Sequence, residues 1–262
     1  MTTPASRPSG APRVVVIIPT FNEIENLETA IAAVHAVADV DVLVVDDNSP
    51  DGTGTVADSI SAADPRVSVL HRTERAGLGQ AYLAGFRRAL DAGYHVLVEM
   101  DSDGSHPAAS LPTLLSRLEG HDRPGLVIGS RWIAGGKVVD WPRRRRLLSE
   151  GANSYARLAL GFAVRDSTGG YRAYRADVLR AIPLDEVQSH GYCFQIDMTR
   201  RTLDAGFGVA EVPITFRDRL YGTSKMSTSI VVEAMWRVTV WGLARAFRRR
   251  TTPRPSSTPP VG

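Results

Sequence analysis

Two aspartates one residue apart, Asp101 and Asp103, follow the apolar run Val96, Leu97, Val98 in the stretch VLVEMDSDGSHP. Like charges this close repel each other, and they are tolerated where water solvates them or a cation sits beside them. Their oxygens suit a hard divalent ion, Mg2+ or Mn2+, which keeps several waters and is commonly shared between one or two carboxylates and substrate phosphates. A diphosphate brought to the same place would be repelled unless such an ion bridged it to the carboxylates. Ser105 offers a further oxygen, and His106, just before Pro107, suits either ligation or capping of the loop. Taken alone, the pattern is also that of an exposed turn.

Three further clusters widen the question. Asp46 and Asp47 end an apolar run in VVDDNSPDG, where a carboxylate can accept from the ring N–H of a nucleobase or simply shape a turn. Just beyond, Gly52, Gly54 and Ala57 match the dinucleotide fingerprint G-x-G-x-x-A, but that fingerprint should open directly off a strand, with an acid closing the next one. Here Asp47 to Gly52 intervene, and the next apolar run is followed by His71 and Arg72, which argues against a nicotinamide enzyme. In RDRLYGTSK, Arg219 and Lys225 flank a glycine-containing loop of the kind that closes over phosphates, and Arg131 stands as a cation just after GLVIGS.

These groups need a frame. RVVVIIPT, DVDVLVVDD, RVSVL, YHVLVEMD and GLVIGSR read as strands; NEIENLETAIAAVHAV, TVADSISAA, GLGQAYLAGFRRALDAG and AASLPTLLSRLEG read as helices. Asn22 with Glu25 reads as the start of the first helix and Gly93 as the end of the third. Continuous apolar strands alternating with helices predict an α/β domain whose mostly parallel sheet is covered on both faces. Ligands of such sheets bind beyond the carboxyl ends of the strands, where PTFNE, DDNSPDG, DSDGSH and GSR all fall. In the second half, RRLLSEGANSYARLALG and YCFQIDMTRRTLDAG read as helices, DSTGGYRAYR as a loop entering a short strand, and FGVAEVPITF as extended. The stretch SIVVEAMWRVTVWGLARAFRRR reads as a final helix with Trp236 and Trp241 near its middle and arginines at its end, suited to a membrane interface or to packing on the domain.

Composition sets outer bounds. The 262 residues are 43% hydrophobic, with a formal net charge of +3 and one cysteine, Cys193, which excludes an internal disulfide and suits a reducing compartment. The opening MTTPASRPSGAPR lacks the apolar core of a signal peptide, and no apolar run approaches the ~18–20 residues of a membrane span. The arginine runs at 143–146 and 248–250 attract phosphates, but the arginines are scattered over a rim rich in acids without a recognition-helix pattern, so no nucleic-acid partner is expected. The expected organisation is a disordered start (1–12), one catalytic domain (13–227), an amphipathic basic helix (228–250) and a disordered tail (251–262).

Together, VVIIPTFNEIENL, VVDDNSPDGTG, RAGLGQAYLAGF, MDSDGSHP, GSRW, SEGAN, STGGYRAYR, GYCFQIDM and RLYGTSKMS resemble the motifs of the polyprenyl-phosphate mannosyltransferases, the dolichyl-phosphate mannose synthases and their bacterial counterparts in glycosyltransferase family 2, from about Arg13 to Ser227. The resemblance implies a Rossmann-like GT-A fold and transfer of mannose from GDP-mannose to polyprenyl phosphate, with inversion, to give polyprenyl β-phosphomannose for cell-envelope glycolipids. It implies nucleotide contacts at Pro19, Phe21, Glu23, Val45 and Asp47, and a D-x-D of Asp101, Ser102 and Asp103. Asp103 would be the principal ligand of Mg2+ or Mn2+ and Ser105 a secondary one. Phosphate contacts fall at Arg131, Arg219 and Lys225, with Arg145 on the acceptor phosphate; Gln195 and Asp197 would meet mannose hydroxyls. Three positions depart from the pattern: Phe21 replaces a tyrosine, Ser105 a glutamine of some relatives, and Glu99 an apolar residue. Without the transmembrane helices that some relatives carry, the chain would reach its lipid as a peripheral protein of the inner face of the plasma membrane, through its last helix or a membrane-embedded partner. A glucosyltransferase using UDP-glucose and a non-catalytic nucleotide-sugar binder remain as alternatives.

Overall fold

The computed structural model describes residues 12–189, 191–218 and 235–245. The expected disordered ends, apart from residue 12, and the loop from Arg219 through Lys225 lie outside the described residues.

The β-branched runs form strands and the periodic runs form helices, as their spacing dictates. In chain order these are β1 (Val14–Thr20), α1 (Leu27–His35), β2 (Asp41–Asp46), α2 (Thr53–Ala63), β3 (Val67–His71), α3 (Leu78–Asp91), β4 (Val96–Glu99), α4 (Leu111–Leu118) and β5 (Leu126–Ser130). They continue as β6 (Lys137–Val138), α5 (Arg143–Leu160), β7 (Arg172–Arg175), α6 (Ala176–Ala181), α7 (Gly191–Asp204), β8 (Val209–Pro213) and β9 (Thr215–Phe216). Seven strands make one sheet in the order β3-β2-β1-β4-β7-β5-β8, and β6 pairs with β9 beside it. Every pair in the large sheet is parallel except β4–β7 and β7–β5, because β7 runs antiparallel between them. The expected mostly parallel sheet is therefore present, interrupted by one reversed strand.

One face of the sheet packs Ala81, Tyr82 and Phe86 of α3, Val178 of α6, and Phe194 and Met198 of α7; the other packs Leu27, Ile31 and Val34 of α1, Ala57 of α2, and Leu111 and Leu114 of α4. Cover on both faces explains why Val15 to Ile18 are fully buried. α3 lies close on the sheet at Gly85, where a Cβ would stand 2.7 Å from Ile17 Cγ2 and 3.2 Å from Val45 Cγ2.

One boundary differs from the sequence reading. α1 starts at Leu27 rather than near Asn22, because Asn22 has φ of 58°, outside the helical region. The last helix is described over residues 235–245, where it packs on α5 through buried Val238 and a 2.6 Å hydrogen bond between the Tyr155 and Thr239 hydroxyls. Among the described residues, no helix is long and apolar enough to cross a membrane.

Candidate functional site

The carboxyl ends of β1, β2, β4 and β5 open on one cleft of about 380 Å³, a size suited to a small-molecule ligand. Its walls include Pro19, Phe21, Glu23, Asp47, Asp101, Ser102, Asp103, Ser105, Arg131 and Arg145, so ten of the residues expected from sequence meet there.

The paired carboxylates stand on a loop fastened from three sides. Side chains alternate along β4, so Leu97, Glu99 and Asp101 face α3 and α7. The buried Tyr82 hydroxyl donates to Asp101 Oδ1 at 3.0 Å. Burial, then the nearby Asp101 and Glu99 charges, push the Tyr82 pKa well up, which keeps the hydroxyl a donor. The Asp101 backbone N–H donates to His106 Nδ1 at 3.0 Å, which leaves the proton of a neutral ring on Nε2, and the ring stacks on Tyr171 with centroids 5.2 Å apart. His106 is thus a loop-capping residue. Asp103 is buried and accepts the Ser105 backbone N–H at 3.0 Å, while the buried Ser105 hydroxyl has no hydrogen-bond partner among the described residues. No group of three or more His, Cys, Asp or Glu side chains that could cage a metal occurs among the described residues. Two carboxylates and an orphan hydroxyl fit a hard divalent ion that completes its shell with water and ligand phosphate.

A second wall comes from β1 and β2. Asp46 accepts hydrogen bonds from the Thr20 hydroxyl (3.1 Å), the Ser49 backbone (3.1 Å) and the Ser49 hydroxyl (2.6 Å), so it shapes the loop. Asp47 faces the cleft, paired with Arg72. Glu23 accepts from Asn26 Nδ2 at 2.8 Å, and the Arg75 guanidinium lies 4.1 Å from the centre of the Phe21 ring. Val45 does not join them: its side chain is in the core beneath Gly85 of α3, because alternation along β2 turns it into the sheet's face.

The opposite wall is cationic. Arg131 is held by fully buried Asp166, to which its backbone N–H (2.8 Å), Nε (2.8 Å) and Nη2 (2.6 Å) all donate. Thr168 Oγ1 accepts from Arg131 Nη2 and from Asn153 Nδ2 of α5, both at 2.9 Å. Arg145 stacks over Trp141 at 4.0 Å and donates to Asp218 at 3.0 Å. Trp141 Nε1 is buried without a hydrogen-bond partner among the described residues.

Gln195 and Asp197 are placed otherwise than the mannose-contact reading expects. Gln195 Nε2 donates to Glu99 Oε2 at 2.6 Å, and Asp197 accepts from Ser189, Arg200 and Arg201; neither lines the cleft. Both are buried, Gln195 toward β4 and Asp197 among Ser189, Arg200 and Arg201. Beneath the cleft, Glu99 is fully buried across the strand pair from Arg172. Burial pushes its pKa up to about 7 despite the Arg172 charge beside it. The sequence reading left Tyr82, Arg72, Arg75, Trp141 and Asp166 without roles. Arg75 opens the RAGLGQAYLAGF motif and Asp166 opens DSTGGYRAYR, so the signal was present without its partners.

Comparison with known proteins agrees with this geometry. The sequence profile of the glycosyl transferase family 2 matches residues 15–182, and the chain belongs to that family. Within it, a polyprenol monophosphomannose synthase of Mycolicibacterium smegmatis is 53% identical over 256 residues, spanning 93% of this chain and 96% of that one. An undecaprenyl-phosphate mannosyltransferase of Micrococcus luteus is 56% identical over 233 residues, spanning 88% and 95%. Among solved structures, glucosyl-3-phosphoglycerate synthase from Mycobacterium tuberculosis, in complex with Mn2+, UDP-glucose and phosphoglyceric acid, aligns with a TM-score of 0.64 at 21% identity, covering 90% of this chain and 80% of that chain. The expected GT-A-type α/β fold and the expected kinship with polyprenyl-phosphate mannose synthases are borne out.

Proposed function

We propose that this glycosyltransferase moves mannose from GDP-mannose to a polyprenyl phosphate, releasing GDP and polyprenyl β-phosphomannose. One observation carries the reading. The paired carboxylates and two arginines of the facing wall open on a single cleft, in a chain more than half identical to lipid-phosphate mannosyltransferases over nearly its whole length.

Phe21, Glu23 and Asp47 line the part of the cleft that would take the nucleoside, with Phe21 offering a ring face and Asp47 an acceptor. Pro19 and Ser102 also line the cleft. A divalent ion, Mg2+ or Mn2+, held by Asp101 and Asp103 with Ser105 alongside, would supply charge stabilisation to the departing diphosphate. Tyr82 holds the Asp101 carboxylate, His106 the Asp101 backbone and the Ser105 backbone N–H the Asp103 carboxylate in place for it. The acceptor phosphate is already anionic at neutral pH, so no general base is required of the chain. What the chain must do is orient two anions and cancel their repulsion, the task assigned to Arg131 and Arg145 and, from outside the described residues, to Arg219 and Lys225. In-line attack on the face opposite GDP inverts the anomeric centre. The enzyme works at the inner face of the plasma membrane, where its acceptor resides, with a membrane-embedded partner as a further anchor.

The test is direct. The purified protein, Mn2+ and polyprenyl phosphate in vesicles are incubated with radiolabelled GDP-mannose or UDP-glucose. Label is expected in lipid from GDP-mannose alone and is expected to fall at least ~100-fold in Asp103→Asn. Label from UDP-glucose alone overturns the donor assignment, and full activity in Asp103→Asn overturns the site assignment.

A further inference from the structure

Trp141 stands where two arginines of the cleft wall come together. The Arg145 guanidinium lies 4.0 Å from the centre of its ring and the Arg131 guanidinium 5.5 Å, both within the range at which a cation is drawn to an electron-rich indole face. Phe216 of β9 meets the ring edge-on at 5.5 Å and Trp132 at 6.5 Å, which braces it from the protein side. Trp141 Nε1 is buried and has no hydrogen-bond partner among the described residues. Burying a donor without an acceptor is unfavourable, and a phenylalanine would avoid it. What the indole supplies instead is its face, which attracts cations more strongly than that of Phe or Tyr.

The backbone constrains the ring as well. Asp140 has φ of 64°, in the left-handed region that residues with a Cβ seldom adopt. Pro142 follows, and the residue before a proline is restricted to extended backbone. Trp141 is thus set between a strained turn and the proline that caps α5, whose first turn carries Arg145. Strain of this kind gathers where a side chain must be aimed. The two arginines differ in what else holds them. Arg131 is buried and gripped by Asp166 through three N–H groups. Arg145 is partly exposed on the cleft wall, where it donates to the Asp218 carboxylate.

We propose that Trp141 is a positioning residue for the transfer: its ring holds the Arg145 guanidinium beside Arg131, so that the acceptor phosphate is received at a fixed place. When a phosphate takes the place of the Asp218 carboxylate on Arg145, the ring is the contact that remains. Trp141 acts through Arg145 and is assigned no contact with the reacting atoms. The inference rests on the proposed function for the identity of the acceptor, but its test reads binding rather than turnover.

Farnesyl phosphate, a short isoprenoid phosphate monoester, is titrated calorimetrically into the full-length protein with GDP and Mn2+ present. Trp141→Leu is expected to weaken its binding ~10-fold and Trp141→Phe, which keeps a ring, only ~3-fold. Arg145→Met is expected to weaken it at least ~10-fold, and Trp141→Leu added to that variant to cost less than ~2-fold more. A merely structural role for the indole would add in full. Melting points report folding, and should Trp141→Leu fail to fold, Trp141→Phe carries the same cycle with its ~3-fold step. Trp141 variants that bind like the parent, effects that add in the double variant, or a parent that does not bind the probe each overturn the proposal. Binding that depends on Trp141 without mannosyl transfer in the vesicle assay would count against the proposed function and leave the positioning role standing. Transfer of mannose with probe binding indifferent to Trp141 would do the reverse.

Discussion

Replacing Asp166 by alanine separates what the Arg131–Asp166 pair does for folding from what it does in the cleft. The pair is buried, with side-chain exposures of 4% and 0%, and Asp166 accepts three N–H groups of Arg131, one of them from the backbone. Removing the acid leaves a buried guanidinium uncompensated, which costs about 3–5 kcal/mol. Against a total stability of about 5–15 kcal/mol, this is a large fraction of the whole, and the melting point should fall by roughly 10 °C. Arg131→Met alone should cost a similar amount, because it strands the buried carboxylate instead. The double variant Arg131→Met/Asp166→Leu removes both charges and should recover most of the loss, short of about 1 kcal/mol for the Arg131-position backbone N–H left without its acceptor. Urea unfolding of the four proteins measures the cycle, and mannosyl transfer is assayed on each. If Arg131 acts on a phosphate, the double variant is stable and inactive. An Asp166→Ala cost below about 1 kcal/mol refutes the reasoning on burial, and a double variant that turns over at the parental rate refutes the role in the cleft.

Further outcomes follow from other contacts. Gly85→Ala should cost about 1–3 kcal/mol in urea unfolding, because its Cβ would stand 2.7 Å from Ile17 Cγ2 with no flexible neighbour to give way. Tyr82→Phe keeps the ring stacked with Phe194 but deletes the donor to Asp101, so the Mn2+ concentration needed to support GDP binding should rise about 3-fold with little change in melting point. The Asp64 carboxyl is held down to about 2, chiefly by hydrogen bonds from Arg66, so its contribution is present above its usual value near 3.8 and is lost as pH falls toward 2. Asp64→Asn should flatten that part of an acid melting curve, by less than about 1 kcal/mol since the pair is partly solvated.

Much of this was legible in the chain because it is local. The strands of the first half announce themselves by runs such as VVVII, and the polar clusters mark the carboxyl ends of those strands, where parallel sheets bind ligands. The gathering of Pro19, Phe21, Glu23, Asp47, Asp101 and Arg131 at one cleft follows from topology that alternating elements already imply. What escaped is what depends on pairing between distant segments. Arg75 reaches Phe21, Asp166 reaches Arg131, and Asp218 reaches Arg145, contacts that no periodicity records. Side-chain direction was the other gap: Val45 lies two residues from cleft-lining Asp47 yet points into the core, and Gln195 turns to buried Glu99.

Glu99 joins the two failures. Read along β4, an acid two residues before the D-x-D has no apparent purpose. It becomes intelligible only because β7 returns antiparallel between β4 and β5, which sets fully buried Arg172 directly across from it. The Arg172 guanidinium also donates to the Ser167 and Gly169 carbonyls, at 2.7 Å each, and to the Gln195 carbonyl at 2.9 Å. One buried cation therefore ties the wall that holds Arg131 to α7, and its charge offsets part of the rise that burial imposes on the Glu99 pKa.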